Sequence, residues 1–237
     1  MDRIRSGIPG FDELIEGGIP VGSSVLVSGG SGTGKTIFCL QYIYEGAKQF
    51  MEPGLFVTLE GNIKNIGWNM QSFNWDIGKL QEKNLIKIYK LNLDILRRHT
   101  TAEEQIEKEL EVIASMVKQI KAKRLVVDST TALSVGTESR GTMRSTLYHF
   151  TNALKELDCT TLLSSETRGR RNDFSAFGVE EFVADGVIAL YFSPPNRSVF
   201  VRKMRATNHS KNVHPFEITS KGIQINPRDK IMWEAIR

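Results

Sequence analysis

Cysteine is scarce: two residues in 237, at positions 39 and 159. Neither their number nor their spacing suits a disulfide framework or a thiolate metal site, so both read as buried, reduced thiols. Long apolar runs are missing too. No stretch approaches the roughly 18 residues that a membrane-spanning helix needs. The opening Met1-Asp2-Arg3-Ile4-Arg5 has no apolar core of the secretory kind. These absences predict a cytoplasmic protein without a membrane span. Charge of one sign is in no great excess: 31 Lys and Arg stand against 27 Asp and Glu, a net +4. That permits a polyanionic partner without demanding one. The densest basic run, Arg168-Gly169-Arg170-Arg171, contains no aromatic on which a base could stack, so it reads as a solvated loop ahead of a nucleic-acid contact. There is no internal repeat, low-complexity tract or linker. Residues 1–237 are therefore expected to form one domain, long enough to bury a sizeable core.

The most informative segment is Gly29-Gly30-Ser31-Gly32-Thr33-Gly34-Lys35-Thr36. It fits the phosphate-binding pattern G-x-x-x-x-G-K-[S/T], for which typical residue frequencies give a chance match of order ~0.01 in a chain of this length. Its glycines let backbone N–H groups turn inward around a triphosphate. Lys35 can then reach the β- and γ-phosphates, and the Thr36 hydroxyl can ligate Mg²⁺. The flanks suit this reading. Ser24-Val25-Leu26-Val27-Ser28 reads as a buried strand, and Ile37 to Phe50 as a helix with Phe38, Tyr42 and Ile43 on one side. The helix N-terminus then faces the phosphates. ATP and Mg²⁺ are the implied ligands, with Gly30, Ser31, Gly32, Thr33, Gly34, Lys35 and Thr36 as the cradle.

Further apolar, β-rich runs recur at Leu55–Leu59, Leu85–Tyr89, Leu125–Val127, Thr161–Leu163, Val187–Phe192 and Ser198–Val201. Most are continuous rather than alternating, as in strands covered on both faces. Between them lie helical stripes: Ile106, Leu110, Ile113, Val117 and Ile120 in residues 102–121, and Met143, Leu147, Phe150, Leu154 and Leu157 in residues 140–157. The alternation predicts an α/β domain, with a mostly parallel twisted sheet and helices on both faces. After residue 186 the strands are joined by turns, Ser193-Pro194-Pro195-Asn196 and Ser220-Lys221-Gly222, so that end of the sheet should be antiparallel.

A phosphate loop binds nucleotide; hydrolysis also needs a second Mg²⁺-directed carboxylate and a group that orients water. Asp128 ends the apolar run Leu125-Val126-Val127 and should lie at the carboxyl edge of the sheet, where ligands of open α/β sheets sit. The competing reading is a turn-initiating Asp. Glu60 ends the run Leu55–Leu59 and should emerge at the same edge, where a carboxylate can hold or deprotonate the attacking water; it could equally start a helix. Ser164-Ser165-Glu166 ends another strand there and could sense the γ-phosphate, or be ordinary loop-entry residues. Lys203 and Arg205, two apart at a strand end, project together, with His209 and Lys211 close behind in one loop. They are either a cationic finger for a phosphate, supplied in cis or by a neighbouring subunit, or a charged edge that deters aggregation.

At this point the chain resembles the KaiC family of the RecA superfamily over nearly its whole length. The likeness is carried by Ser6-Gly7-Ile8-Pro9-Gly10-Phe11-Asp12-Glu13-Leu14 with Gly17-Gly18-Ile19-Pro20, by Glu52-Pro53-Gly54-Leu55-Phe56-Val57-Thr58-Leu59-Glu60, and by Ser72-Phe73-Asn74-Trp75-Asp76. Gly178-Val179-Glu180-Glu181-Phe182-Val183-Ala184-Asp185 and Lys203-Met204-Arg205 with His209-Ser210-Lys211 complete it. The resemblance implies a RecA-like ATPase in oligomeric, hexameric rings with ATP between subunits. It makes Glu60 the catalytic carboxylate and Asp128 the Walker B residue, and it sends Lys203, Arg205, His209 and Lys211 to the neighbour's nucleotide. Three departures stand out. Gly61 follows Glu60 where the family usually shows a second glutamate, which points to slow turnover. The chain has one such domain where clock members have two. Glu180-Glu181-Phe182 lacks the Ser-Thr pair that becomes phosphorylated in those members' second domain, so no autokinase activity is expected. A regulatory or signalling ATPase is the leading reading. A DNA-handling relative of archaeal recombinase paralogues and a non-hydrolysing, nucleotide-dependent scaffold remain the other two.

Overall fold

Residues in an apolar strand buried on both faces must alternate between two cores, and this chain builds both. The structure, a computed structural model, describes residues 1–59, 61–91, 102–134, 140–167, 174–178 and 180–232. Glu60, Arg168–Arg171 and Val179, all singled out above, lie outside the described residues, as do the burial and contacts of the Met143 side chain.

A short ribbon pairs β1 (Arg3–Ile4) with β2 (Ile19–Pro20) near the N-terminus. The main sheet then takes β3 (Ser24–Gly29), β4 (Gly54–Thr58), β5 (Ile86–Lys90), β6 (Arg124–Asp128), β7 (Thr160–Glu166), β8 (Gly186–Ser193), β9 (Asn196–Met204), β10 (Val213–Thr219) and β11 (Gly222–Ile225). Its order is β11-β10-β9-β8-β3-β7-β6-β4-β5. From β8 to β5 the strands run parallel. From β8 outward to β11 they pair antiparallel. The two predicted turns are the hairpin connections of this extension, and β8 itself, parallel to β3, is where the change occurs.

Helices α1 (Lys35–Gln49), α2 (Ile63–Ser72), α3 (Gly78–Glu82), α4 (Ala102–Ile120), α5 (Arg140–Lys155) and α6 (Glu180–Val183) complete the described fold. Val25 and Val27 of β3 face a core with Phe38, Tyr42 and Ile43 of α1. Leu26, between them, faces a second core with Ile113 and Val117 of α4 and Phe150 and Leu154 of α5. Helices thus cover both faces, as the continuous apolar runs require. Helix α1 is buried more fully than its apolar stripe implied. Gln41 is 1% exposed and pairs with β11, donating to Ile223 O at 3.0 Å and accepting from Ile223 N. Cys39 and Cys159 are buried free thiols, and burial pushes the Cys159 thiol up to about 11. No helix among the described residues is long and apolar enough to cross a membrane.

One buried charge escaped the hydropathy pattern. Arg124, at the start of β6, is 0% exposed. Its guanidinium donates to Glu52 (2.8 Å from Nε), to Tyr42 O (2.7 Å) and to Arg5 O (2.6 Å), and it stacks 4.5 Å from the Tyr42 ring centroid. It ties the N-terminal segment, α1 and β6 together. Gly46 makes room, since a Cβ there would lie 2.2 Å from Arg124 Nε. Removing one partner of a buried pair costs about 3–5 kcal/mol. Arg124→Leu is expected to lose stability in that range in urea unfolding, and Gly46→Ala to lose a comparable amount through the clash. Losses below about 1 kcal/mol in both would show that the cluster contributes little.

Candidate functional site

The loop between β3 and α1 is shaped by glycine. Gly32 and Gly34 have φ of 75° and 102°, backbone that side chains rarely adopt. Gly34 is the N-cap of α1 and supplies no capping side chain, which suits a helix start that faces a phosphate. Lys35 is 8% exposed; its Nζ donates to Gly30 O at 2.9 Å and lies 3.8 Å from Glu166 Oε1. Thr33 Oγ1 also donates to Gly30 O, at 2.9 Å.

Strand order brings Asp128 to this loop. β6 lies two places from β3 in the sheet, and Asp128, its last residue, accepts a hydrogen bond of 2.9 Å from Thr36 Oγ1. Its other carboxylate oxygen accepts from Ser164 Oγ on β7. The Asp128–Ser129 peptide bond is cis. A cavity of about 550 Å³ opens here, and Lys35, Thr36, Asp128 and Glu166 all line it. A hydroxyl and a carboxylate in contact are the hard oxygen donors that Mg²⁺ takes, so the residues present suit the expected cation.

The remaining candidates separate. Of Ser164-Ser165-Glu166, alternation sends the middle residue away from the cavity: Ser165 Oγ donates to the buried Glu180 at 3.0 Å. Glu60 itself is outside the described residues. Of its neighbours, Leu59 N–H donates to Asp128 O at 2.8 Å, and Gly61 N–H donates to Thr58 Oγ1 at 2.8 Å. A Cβ at position 61 would lie 2.7 Å from Thr58 Oγ1, so this chain's Thr58 and Gly61 are fitted to each other and a second glutamate would need Thr58 to move.

Lys203 and Arg205 do come together, but away from their own loop. Lys203 Nζ donates to Ala184 O at 2.7 Å and Glu181 O at 3.3 Å, and burial, with Arg205 nearby, lowers its pKa. Arg205 pairs with Asp185 at 2.9 Å. Asp185 is fixed by Ser24 N–H and by Lys155. The separation has a different cause from lateral distance in the sheet, because β9 is only two strands from β3. β9 runs opposite to β8 and β3, so its end lies at their beginnings, with Met204 opposite Gly186 and Gly186 beside Val25. From Ser24 to Gly29 is about 17 Å of strand. His209 and Lys211 sit in the loop before β10; His209 Nδ1 is 2.9 Å from Ser210 O.

The other end of β9 reaches the phosphate loop, which the sequence reading missed. Arg197 donates to Gly32 O at 3.3 Å and stacks 4.2 Å from the Phe192 ring centroid. Asn62, Asn65 and Asn69 of the α2 region also line the cavity. Their spacing of three and four residues was the available signal for a single helix face.

A family profile described as ATPase: KaiC matches residues 4–230. The chain belongs to the KaiC ATPase family. This KaiC-family chain is 35% identical over 227 residues to the circadian clock oscillator protein KaiC of Parathermosynechococcus lividus, covering 94% of the chain and 42% of that protein. It therefore spans under half the length of such clock relatives. A UPF0273 protein of Methanocaldococcus jannaschii is 37% identical and is matched end to end, over 98% of the chain and 99% of that protein. Among solved structures, the KaiC-like protein of Pyrococcus horikoshii OT3 superposes with a TM-score of 0.84 at 42% identity, over 95% of this chain and 99% of that one. The α/β, RecA-type fold of the KaiC family is thus shared by this chain.

Proposed function

We propose that this chain is a Mg²⁺-dependent ATPase, a single RecA-like domain over residues 1–237, which assembles into hexameric rings with ATP at the subunit boundaries and acts as a regulator in the cytoplasm. The observation that carries the reading is the convergence of Lys35, Thr36 and Asp128 at the mouth of the Gly32–Gly34 loop. Backbone N–H groups at the start of α1 would hold the phosphates, and Lys35 would leave Gly30 O for the β- and γ-phosphates. Thr36 and Asp128 would hold the cation, which offsets charge developing on the transferred phosphoryl group. Glu60 would orient water. Lys203, Arg205, His209 and Lys211 would meet the nucleotide of a neighbouring subunit. KaiC-family membership supports the ATPase class, and Gly61 supports slow turnover.

Lys35→Ala removes a charge-assisted contact of roughly 1.5–3 kcal/mol. ATP affinity by calorimetry should fall about tenfold or more. Unchanged affinity would refute the loop assignment. Tight ATP binding with no phosphate release from the wild-type chain would make it a scaffold instead of an enzyme.

A further inference from the structure

Among the described residues, none before Ser31 lines the nucleotide cavity. The N-terminal segment instead grips the loop that joins β9 to β10. Arg3, on β1, reaches both. Its Nη1 donates to Ile15 O at 3.2 Å, to Gly18 O at 2.9 Å and to Thr207 Oγ1 at 3.0 Å. Its Nη2 donates to Glu16 at 2.9 Å and to Ala206 O at 3.1 Å. Glu16 also accepts from Asn208 N–H at 3.1 Å, and Leu14 O accepts from Ser210 N–H at 2.8 Å. Thr207 Oγ1 donates in turn to Arg205 O at 3.2 Å, so the chain of bonds ends on the backbone of Arg205. Ala206 has a φ of 53°, a backbone that a residue with a Cβ holds only where its surroundings over-determine it.

We infer that Arg3 and Glu16 are positioning residues for hydrolysis at the subunit boundary, because they set the loop that presents Arg205 to a neighbour. The inference rests on the reading above, in which Arg205 acts in trans. A cation that stabilises a transition state must be held before the reaction, since a shift of about 1 Å can cost about 10²-fold in rate. The loop lies between two strands and has no ladder of its own, so its order must come from outside. The N-terminal segment is a firm base for this. Phe11, Ile15 and Ile19 anchor it with 0% exposure, so it needs no bond from Arg3 or Glu16 to stay docked. The bonds that these two make to Ala206, Thr207 and Asn208 therefore order the loop more than the segment. A planar, forked guanidinium suits the task, because it serves several carbonyls at once where an ammonium on a flexible stem does not. Arg3 is 18% exposed on its side chain and is paired with Glu16, so its charge is balanced where it sits.

Complementation separates this role from a folding defect. Arg3→Met should turn over ATP about 10²-fold more slowly. Its ATP affinity by calorimetry should stay within about twofold at concentrations where sedimentation shows monomers, because the brace acts on a neighbour's site. Mixed with Lys35→Ala, it should regain part of the rate. Mixed with Arg205→Ala, it should regain none, since every boundary then lacks an effective finger. Arg3→Lys should fall between Arg3→Met and the wild type, as it keeps the charge and loses the fork. Glu16→Ala, at an exposed position, is the second variant if Arg3→Met does not fold. It should be about tenfold slower and obey the same pairing rule. Apart from turnover, backbone hydrogen exchange over residues 206–212 should quicken in both variants. Turnover within about twofold of wild type in both, beside a slow Arg205→Ala, overturns the inference and leaves the trans reading standing. No rescue by Lys35→Ala in demonstrably mixed assemblies, or unchanged exchange over 206–212, overturns it too. If Arg205→Ala is as fast as the wild type, the trans reading fails and the inference falls with it.

Discussion

An Arg205→Ala chain is expected to hydrolyse ATP about 10³–10⁵-fold more slowly while still binding it, the range found for arginine fingers supplied in trans. The physical ground is strand direction. Arg205 N–H bonds to Asp185 O, and Asp185 N–H bonds to Ser24 O, so Arg205 sits level with the first residue of β3. The phosphate loop begins at the last residue, Gly29, about 17 Å along the strand. A side chain anchored at one end of β3 does not serve a phosphate at the other, so on the proposed reading the cation would meet a different subunit's ATP. In the single chain Arg205 pairs with Asp185. Arg205 is 61% exposed, so its removal should leave the fold intact. Two measurements separate this from a structural defect. Activity per subunit of the wild-type chain should rise with protein concentration. Mixing Arg205→Ala with Lys35→Ala should restore part of the rate, because some mixed boundaries pair an intact loop with an intact finger. A fully active monomer in sedimentation analysis, or no rescue from demonstrably mixed assemblies, would leave Lys203 and Arg205 as an ordinary charged edge.

Glu60→Gln should lower turnover by about 10²–10⁴-fold and leave ATP bound, because it keeps size and hydrogen bonding and removes only the base. Its described neighbours bracket the Asp128 end of the sheet: Thr58 faces Asp128 in register, and Leu59 N–H bonds to the Asp128 carbonyl. Phosphate release under saturating ATP is the readout. If the rate stays within a factor of two, the water-directing carboxylate is elsewhere, and Glu166, 3.8 Å from the Lys35 ammonium and on the wall of the same cavity, is the next residue to replace. A combined loss of affinity and rate would assign Glu60 to binding.

Residue pattern alone carried the parts of this protein whose causes are local. The glycines at 32 and 34 are needed for backbone with positive φ, and that need is written in the residue type. The stripes at Ile106–Ile120 and Leu147–Leu154 pack as their period requires, because helix geometry places residues three and four apart on one face. Asp128 was placed at a strand end by the apolar run before it. Its contact with Thr36 then follows from a parallel sheet that presents all its carboxyl ends on one edge.

What only the tertiary structure decided depends on strand order, strand direction and the partners these create. The apolar run that marks β6 in the sequence begins at Leu125 and says nothing of Arg124, which is buried because Glu52, three backbone carbonyls and the missing side chain of Gly46 surround it. Ser165 reads as equivalent to Ser164, and the pleat turns it to Glu180. Arg205 reads as a charge at a strand end, and Arg197, just before the apolar run at Ser198–Val201, drew no reading. The antiparallel course of β9 puts Arg197 against the phosphate loop and Arg205 at the far edge. Hydropathy and spacing describe what a segment buries, whereas which segment lies beside it, and which way it runs, is settled only when the long-range pairs of the sheet form.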